Sequence, residues 1–119
     1  MTPKEMLDRI AGLPLASRTH FSFITKKNRV IAMGAENRGK THPQVWILGY
    51  PYPTIHSEFD AYRRVMKSNR SGLTLYNIRV STNGTIGMSK PCKYCMPWVV
   101  DAFDYIYYTN ENGELTKYE

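Results

Sequence analysis

Four residues of this sequence have the types and spacing to do chemistry: His56, Glu58, Cys92 and Cys95. They fall in two short segments, Ile55-His56-Ser57-Glu58 and Lys90-Pro91-Cys92-Lys93-Tyr94-Cys95. The chain holds two cysteines, which argues against a disulfide framework. A C-x-x-C pair in a cytosolic chain is a metal half-site or a redox couple. Two sulfurs cannot make a four-cysteine zinc site, so a zinc ion would need further ligands from His20, His42, His56 or the carboxylates. One imidazole and two thiolates fill three corners of a tetrahedron and leave the fourth to water, the arrangement of catalytic rather than structural zinc. Glu58, two residues after His56, is too close to bind the same ion comfortably from a helix. Its carboxylate can instead lean over the fourth position, where it would take and pass on a proton of the water. Singly, each residue has a plainer reading. The cysteines serve as a redox pair or as buried thiols, His56 as a helix-capping or core histidine, and Glu58 as an exposed acid of a first helical turn.

The elements that must position these residues follow from local pattern. Residues 3–11 read as a short helix, capped by Thr2, with Pro3 at its first position and Met6, Leu7 and Ile10 on one face. Phe21 to Lys26 and Arg29 to Met33 read as strands joined by a tight turn at Lys27-Asn28, with Phe21, Phe23, Val30 and Ala32 alternating. Gly34 to Pro43 reads as polar loop, and Val45 to Leu48 as a short apolar run, an extra strand or packed loop. Thr54 caps a helix expected to reach about Ser68, with Ile55, Phe59, Tyr62 and Met66 as its buried stripe. Leu73 to Ser81 is the clearest strand, and Asn83-Gly84 and Gly87 mark loop. A third helix is expected from near Cys92 to about Phe103, with Pro97 close to its first turn. Tyr105 to Thr109 and Glu114 to Tyr118 read as strands paired through an Asn112-Gly113 turn. Both reactive segments then fall at helix starts, where backbone donors favour thiolate over thiol. The order α-β-β-α-β-α-β-β implies an α/β fold, a mixed sheet with helices on both faces.

Composition sets the frame for these elements. A chain of 119 residues suits a single domain over 1–119, and 42% hydrophobic with 22% charged residues excludes disorder, collagen and coiled coil. No stretch approaches the roughly 18 apolar residues of a membrane span, and the N-terminus shows no signal-peptide pattern, so a cytoplasmic domain is expected. The net charge of +6 is uneven. Thirteen Lys and Arg face three acids between Arg18 and Lys93, whereas five acids face Lys117 alone from Asp101 onward. A basic body of this kind attracts phosphate-bearing partners.

His-x-Glu followed by Pro-Cys-x-x-Cys, each at a predicted helix start, is the signature of zinc nucleobase deaminases. In these motifs and in its element order the chain resembles the cytidine deaminase-like superfamily over nearly its whole length. The resemblance implies a three-layer α/β/α sandwich with a central mixed five-stranded sheet. It implies Zn2+ held by His56, Cys92 and Cys95, with Glu58 as the catalytic acid and base. The implied reaction is hydrolytic deamination: Glu58 deprotonates a zinc-activated water, which attacks the amino-bearing ring carbon of cytosine or adenine. Glu58 then protonates the ring nitrogen and assists loss of ammonia. By the same resemblance Asn37 matches a sugar-contacting asparagine, and the Ser57 backbone would bond the pyrimidine carbonyl, although many relatives have alanine there. Carbonyls near Ser89 and Lys90 would accept the exocyclic amine, and His42 would line the pocket. Thr41, Trp46, Tyr50 and Tyr52 lie on the approach, where an aromatic ring either stacks on a base or simply packs a loop. His20 is expected to be structural or exposed.

The substrate is less constrained. A hairpin of the last two strands, antiparallel to each other, matches the branch with free-nucleoside deaminases and several toxin-type deaminases. His56 is a departure, since tetrameric nucleoside deaminases usually carry cysteine there. The small size favours a free nucleoside or nucleotide. The basic residues Arg63, Arg64, Lys67 and Arg70, with Lys26, Lys27, Arg29, Arg38 and Lys40, would suit a nucleotide phosphate or single-stranded nucleic acid. Deamination of cytosine in a free nucleoside or nucleotide is therefore expected first, a single-stranded DNA or RNA base deaminase second, and a non-catalytic zinc module third. Relatives that assemble as dimers or tetramers suggest a homo-oligomer.

Overall fold

Thr2 opens the first element: its Oγ1 accepts the Glu5 N–H at 3.1 Å. Pro3 takes the first helical position, and helix α1 (Pro3–Ile10) buries Met6 and Ile10, one turn apart on one face. The computed structural model describes residues 1–13, 18–36 and 56–119. The sequence readings at Asn37, Arg38, Lys40 to His42, Val45 to Leu48, Tyr50 to Pro53, Thr54 and Ile55 lie outside the described residues.

Strands β1 (Arg18–Lys26) and β2 (Arg29–Ala35) form the first hairpin. Lys27 and Asn28 turn it with φ of 51° and 62°, a primed turn whose twist matches that of the strands. Gly34 and Ala35 belong to β2 rather than to the loop expected there. Ile24 faces Ala32 while Thr25 faces Val30, which leaves Ile31 as an extra residue on β2. This bulge breaks the alternation expected of Val30 and Ala32, and the two pack against different hydrophobic clusters.

Helix α2 (Ser57–Tyr62) is shorter than the pattern predicts. Met66 is extended, with φ −58° and ψ 137°, and a single 3-10 turn, Lys67–Asn69, follows it. The break shifts the helical phase: Met66, expected in the buried stripe, is 73% exposed, and Val65 is buried instead. Strand β3 (Leu73–Ser81) matches its prediction. The chain then turns back through Ser81–Thr85 hydrogen bonds and adds β4 (Ile86–Gly87) against β3. Two residues are too few to show an alternation, so this strand had no sequence signal. Helix α3 (Met96–Ala102) begins four residues later than expected. Residues 92–95 form a turn first, in which the Cys95 and Met96 N–H groups both donate to the Cys92 carbonyl at 3.1 and 2.9 Å. Strands β5 (Tyr105–Thr109) and β6 (Leu115–Lys117) close the chain as an antiparallel pair.

The protein is α/β. Among the described residues, six strands form one mixed sheet in the order β2-β1-β3-β5-β6, with β4 on β3, and three α-helices accompany it. The expected count of five strands is thus corrected by β4. The β3–β5 pair is parallel and the other pairs are antiparallel. Alternate residues of β1 and β3 serve two cores. Phe21, Phe23, Ile78 and Val80 cluster with Met6 and Ile10 of α1. Ile24, Leu73 and Leu75 cluster with Phe59 and Ala61 of α2, Val99 of α3 and Ile106 of β5. No described helix is long and apolar enough to cross a membrane.

Candidate metal centre

Helix α2 is brought onto β2 by the absence of a side chain. A Cβ on Gly34 would lie 2.2 Å from the Ala61 nitrogen and 2.5 Å from the Ser57 oxygen. Asp60 fixes the contact: its Oδ2 accepts the Ala35 N–H at 3.0 Å, while its Oδ1 accepts from Arg63 Nε at 2.9 Å. Asp60 is 7% exposed, and these donors supply the partners that a buried carboxylate requires. Helix α3 meets α2 through aromatic rings. Trp98 stands edge-on to Phe59 at 6.5 Å and packs on Tyr62 at 5.5 Å, and Tyr62 meets Phe103 at 5.7 Å. The starts of the two helices are thereby held side by side.

His56 occupies the N-cap position of α2 without capping it through its side chain. Its Nδ1 lies 3.5 Å from Cys92 Sγ and 3.5 Å from Cys95 Sγ. All three ligand atoms lie within 4.8 Å of one another, close enough to hold a metal ion. Zinc bonds of about 2.3 Å to sulfur and about 2.05 Å to nitrogen, at the tetrahedral angle, put N and S about 3.6 Å apart. The residues present therefore fit such an ion in both donor type and spacing.

The electrostatics favour ligation. The Cys92 thiol is lowered from 9.0 to about 4. A hydrogen bond with Cys95 is the main cause, burial opposes it, and hydrogen bonds from His56 and from the Cys95 and Tyr94 backbone add to it. Burial pulls His56 down, but its hydrogen bond and charge interaction with Cys92, followed by the charges of Glu58 and Glu36, outweigh that and raise it overall.

No family model, curated protein or solved structure matches this chain.

The other expected site residues divide. Glu58 is buried at 2% exposure, and its Oε1 accepts the Ser57 hydroxyl at 3.0 Å. Ser57 and Ser89 are both fully buried, so neither side chain faces open space. They belong to a polar network that sequence reasoning missed. The Ser22 hydroxyl sits 2.8 Å from Ser57 Oγ and 2.6 Å from Asn77 Oδ1, and with a single proton it donates to one at a time. Asn77 Nδ2 donates to the Ser89 carbonyl at 3.1 Å. Ser89 Oγ donates to the Asn77 carbonyl at 2.9 Å and accepts the Thr109 N–H at 2.7 Å. The network joins the Glu58 helix to the segment that runs into Cys92. Its signal was present: Ser22 between two phenylalanines and Asn77 within an apolar strand are polar residues at core positions, and they face each other across β1 and β3.

His20 is a partly buried residue of the sheet, in keeping with a structural place. It lies on β1 two residues before Ser22, opposite Arg79. Burial lowers its pKa, against the charges of Glu58 and Glu36, while Arg79 and His56 push it further down. Asn37 and His42 lie outside the described residues. Several basic residues expected to meet phosphate are engaged within the fold. Arg63 and Arg64 pair with Asp60, at 2.6 and 3.3 Å. Arg70 donates to the Val65 and Tyr62 carbonyls, and Lys26 Nζ binds Asn69.

Proposed function

We propose that the protein is a zinc-dependent hydrolase that deaminates the cytosine base of a free nucleoside or nucleotide. The observation that carries this reading is the convergence of His56 Nδ1 with the Cys92 and Cys95 sulfurs at 3.5 Å each, beside a buried Glu58. Helices that join separate cores on the two sides of one mixed sheet also suit the three-layer arrangement of the deaminase-like fold.

His56, Cys92 and Cys95 would hold the ion. Zinc, when bound, supplies a Lewis acid that brings the pKa of water toward roughly 7. Ser57 engages Oε1 of Glu58 and leaves Oε2 as the oxygen to accept a proton from the attacking water. Glu58 then delivers that proton to the ring nitrogen beside the reacting carbon and assists departure of ammonia. Burial of the carboxylate keeps bulk water from competing for the proton. The backbone N–H of Ser57, first residue of α2, is an orphan donor of the helix start and is suited to the pyrimidine carbonyl. Asn77 and Ser22 act one step back, holding Ser57 and Ser89 in place.

The test is a substrate panel run on metal-quantified protein: cytidine, deoxycytidine, their monophosphates and single-stranded oligonucleotides. One zinc per chain and loss of cytosine absorbance with a small substrate are expected. Glu58→Gln should keep zinc and lose activity by at least about 100-fold, and Cys92→Ala should lose both. Turnover of oligonucleotides alone would move the assignment to a nucleic-acid deaminase. Full activity of Glu58→Gln would overturn the mechanism.

A further inference from the structure

Among the described residues, Arg79 is a cation without a hydrogen-bond or ion-pair partner, on the face of the sheet that carries the site. It lies two residues beyond Asn77 on the same side of β3, about 7 Å along the strand. His20 of β1 and Gly87 of β4 are its register neighbours. Its Nε is buried and has no hydrogen-bond partner, and among the described residues no carboxylate pairs with it. A guanidinium stays charged at any physiological pH and carries five N–H donors. Burying one of them unpaired is costly and rare, and it points to a missing acceptor. Arg63, Arg64 and Arg70 behave in the ordinary way, each bonded to a carboxylate or a carbonyl.

A pocket of about 450 Å³ opens beside Arg79, with Ser81, Thr85 and Gly87 among its walls and Glu111 on its lining. Its size falls within the range of small-molecule sites. A single segment of chain runs from its wall to the candidate centre. Gly87, whose carbonyl accepts the Thr109 hydroxyl at 2.7 Å, leads directly to Ser89 and on to Cys92. The two Nη groups of a guanidinium carry paired N–H donors, a fork that matches two oxygens of a phosphate. Glu111 is exposed and of the opposite preference, so it should weaken anion binding without abolishing it.

We propose that Arg79 and the pocket beside it bind the phosphate of the substrate, so that the base reaching Glu58 belongs to a phosphorylated nucleotide rather than to a free nucleoside. This inference rests on the deaminase reading for its substrate, but not for its anion. The phosphate would be the monoester of a mononucleotide or a diester within a short strand, and the same Arg79 fork serves either.

The experiment uses the full zinc-loaded chain and its Arg79→Gln, Arg79→Lys and Glu111→Gln variants, with circular dichroism as a check on folding. The kcat/KM ratio is measured for deoxycytidine monophosphate over deoxycytidine, and for a short oligonucleotide over deoxycytidine. Binding of inorganic phosphate is followed by phosphorus NMR. One of the two ratios should be on the order of 100-fold, the worth of one charge-assisted paired contact. It should collapse in Arg79→Gln and recover only partly in Arg79→Lys. Which ratio is large identifies the monoester or the diester. Glu111→Gln, an exposed change, should tighten phosphate binding even if the Arg79 variants fail to fold. A ratio near one for both substrates, or one that survives Arg79→Gln, overturns the proposal. If no substrate is deaminated, the function proposed above fails. Phosphate binding lost in Arg79→Gln would then still uphold the anion site, and absence of phosphate binding to the unaltered chain would overturn it.

Discussion

Replacing Gly34 by alanine adds one methyl group where the chain has no room for it. The new Cβ would stand 2.2 Å from the Ala61 nitrogen and 2.5 Å from the Ser57 oxygen, whereas ordinary contact begins at 3.4 Å. Helix α2 would have to retreat by about 1.2 Å to reach ordinary contact distance. Both crowded atoms are backbone, so no rotamer change relieves them. Overpacking that side chains can absorb costs about 1–3 kcal/mol, and this case belongs at or above the upper end. Retreat would also stretch the 3.0 Å bond from the Ala35 N–H to Asp60. We expect Gly34→Ala to lose about 3 kcal/mol or more in urea unfolding of the metal-free chain. Zinc affinity should fall with it, because His56 leads into the displaced helix. Any deaminase activity should drop on the order of 100-fold, since displacements near 1 Å have that effect on positioned groups. Gly87→Ala is the control: its Cβ would meet nothing within 4 Å, and its stability should stay within about 0.5 kcal/mol. A Gly34→Ala protein as stable as the unaltered chain, with unchanged zinc affinity, would refute the account of how α2 is placed.

Two further predictions concern the network and the thiols. Asn77→Leu puts an apolar side chain of similar size at a fully buried position. It should nevertheless cost about 1–3 kcal/mol, because the Ser89 carbonyl loses its Nδ2 donor and Ser22 loses one of its two acceptors. Equal or greater stability in thermal and urea unfolding would mean that the network contributes nothing. In the metal-free chain Cys92 should titrate near its folded value of about 4, well below a free thiol. Because folding depresses this value, the stabilising contribution of the thiolate is complete above the unfolded thiol range and is lost as pH falls through about 4. Thiolate absorbance against pH, with mass-spectrometric alkylation, checks this: Cys92 should be modified first and the fully buried Cys95 protected. A Cys92 midpoint near 9 would contradict it.

Local chemistry alone was sufficient for much of this protein. Thr2-Pro3, Lys27-Asn28 and Asn112-Gly113 announce a cap and two turns because capping and turn geometries depend on a few adjacent residues. Strand β3 is legible from its own composition, and His56, Cys92 and Cys95 are legible as a candidate metal set because metal chemistry admits few residue types. Other features required distant parts of the chain to meet. The early end of α2, the bulge at Ile31 and the two residues of β4 are too short or too dependent on packing to leave a periodic trace. Gly34 reads locally as a loop residue, and only the approach of α2 shows why a side chain is excluded there. Ser22, Asn77 and Ser89 are unremarkable apart, yet they bond one another across 55 and 12 positions of sequence. That Arg79 finds no partner among the described residues is likewise visible only in three dimensions. A residue's own type sets which bonds it can make, but whether a partner arrives is decided by the register of the sheet and the docking of the helices.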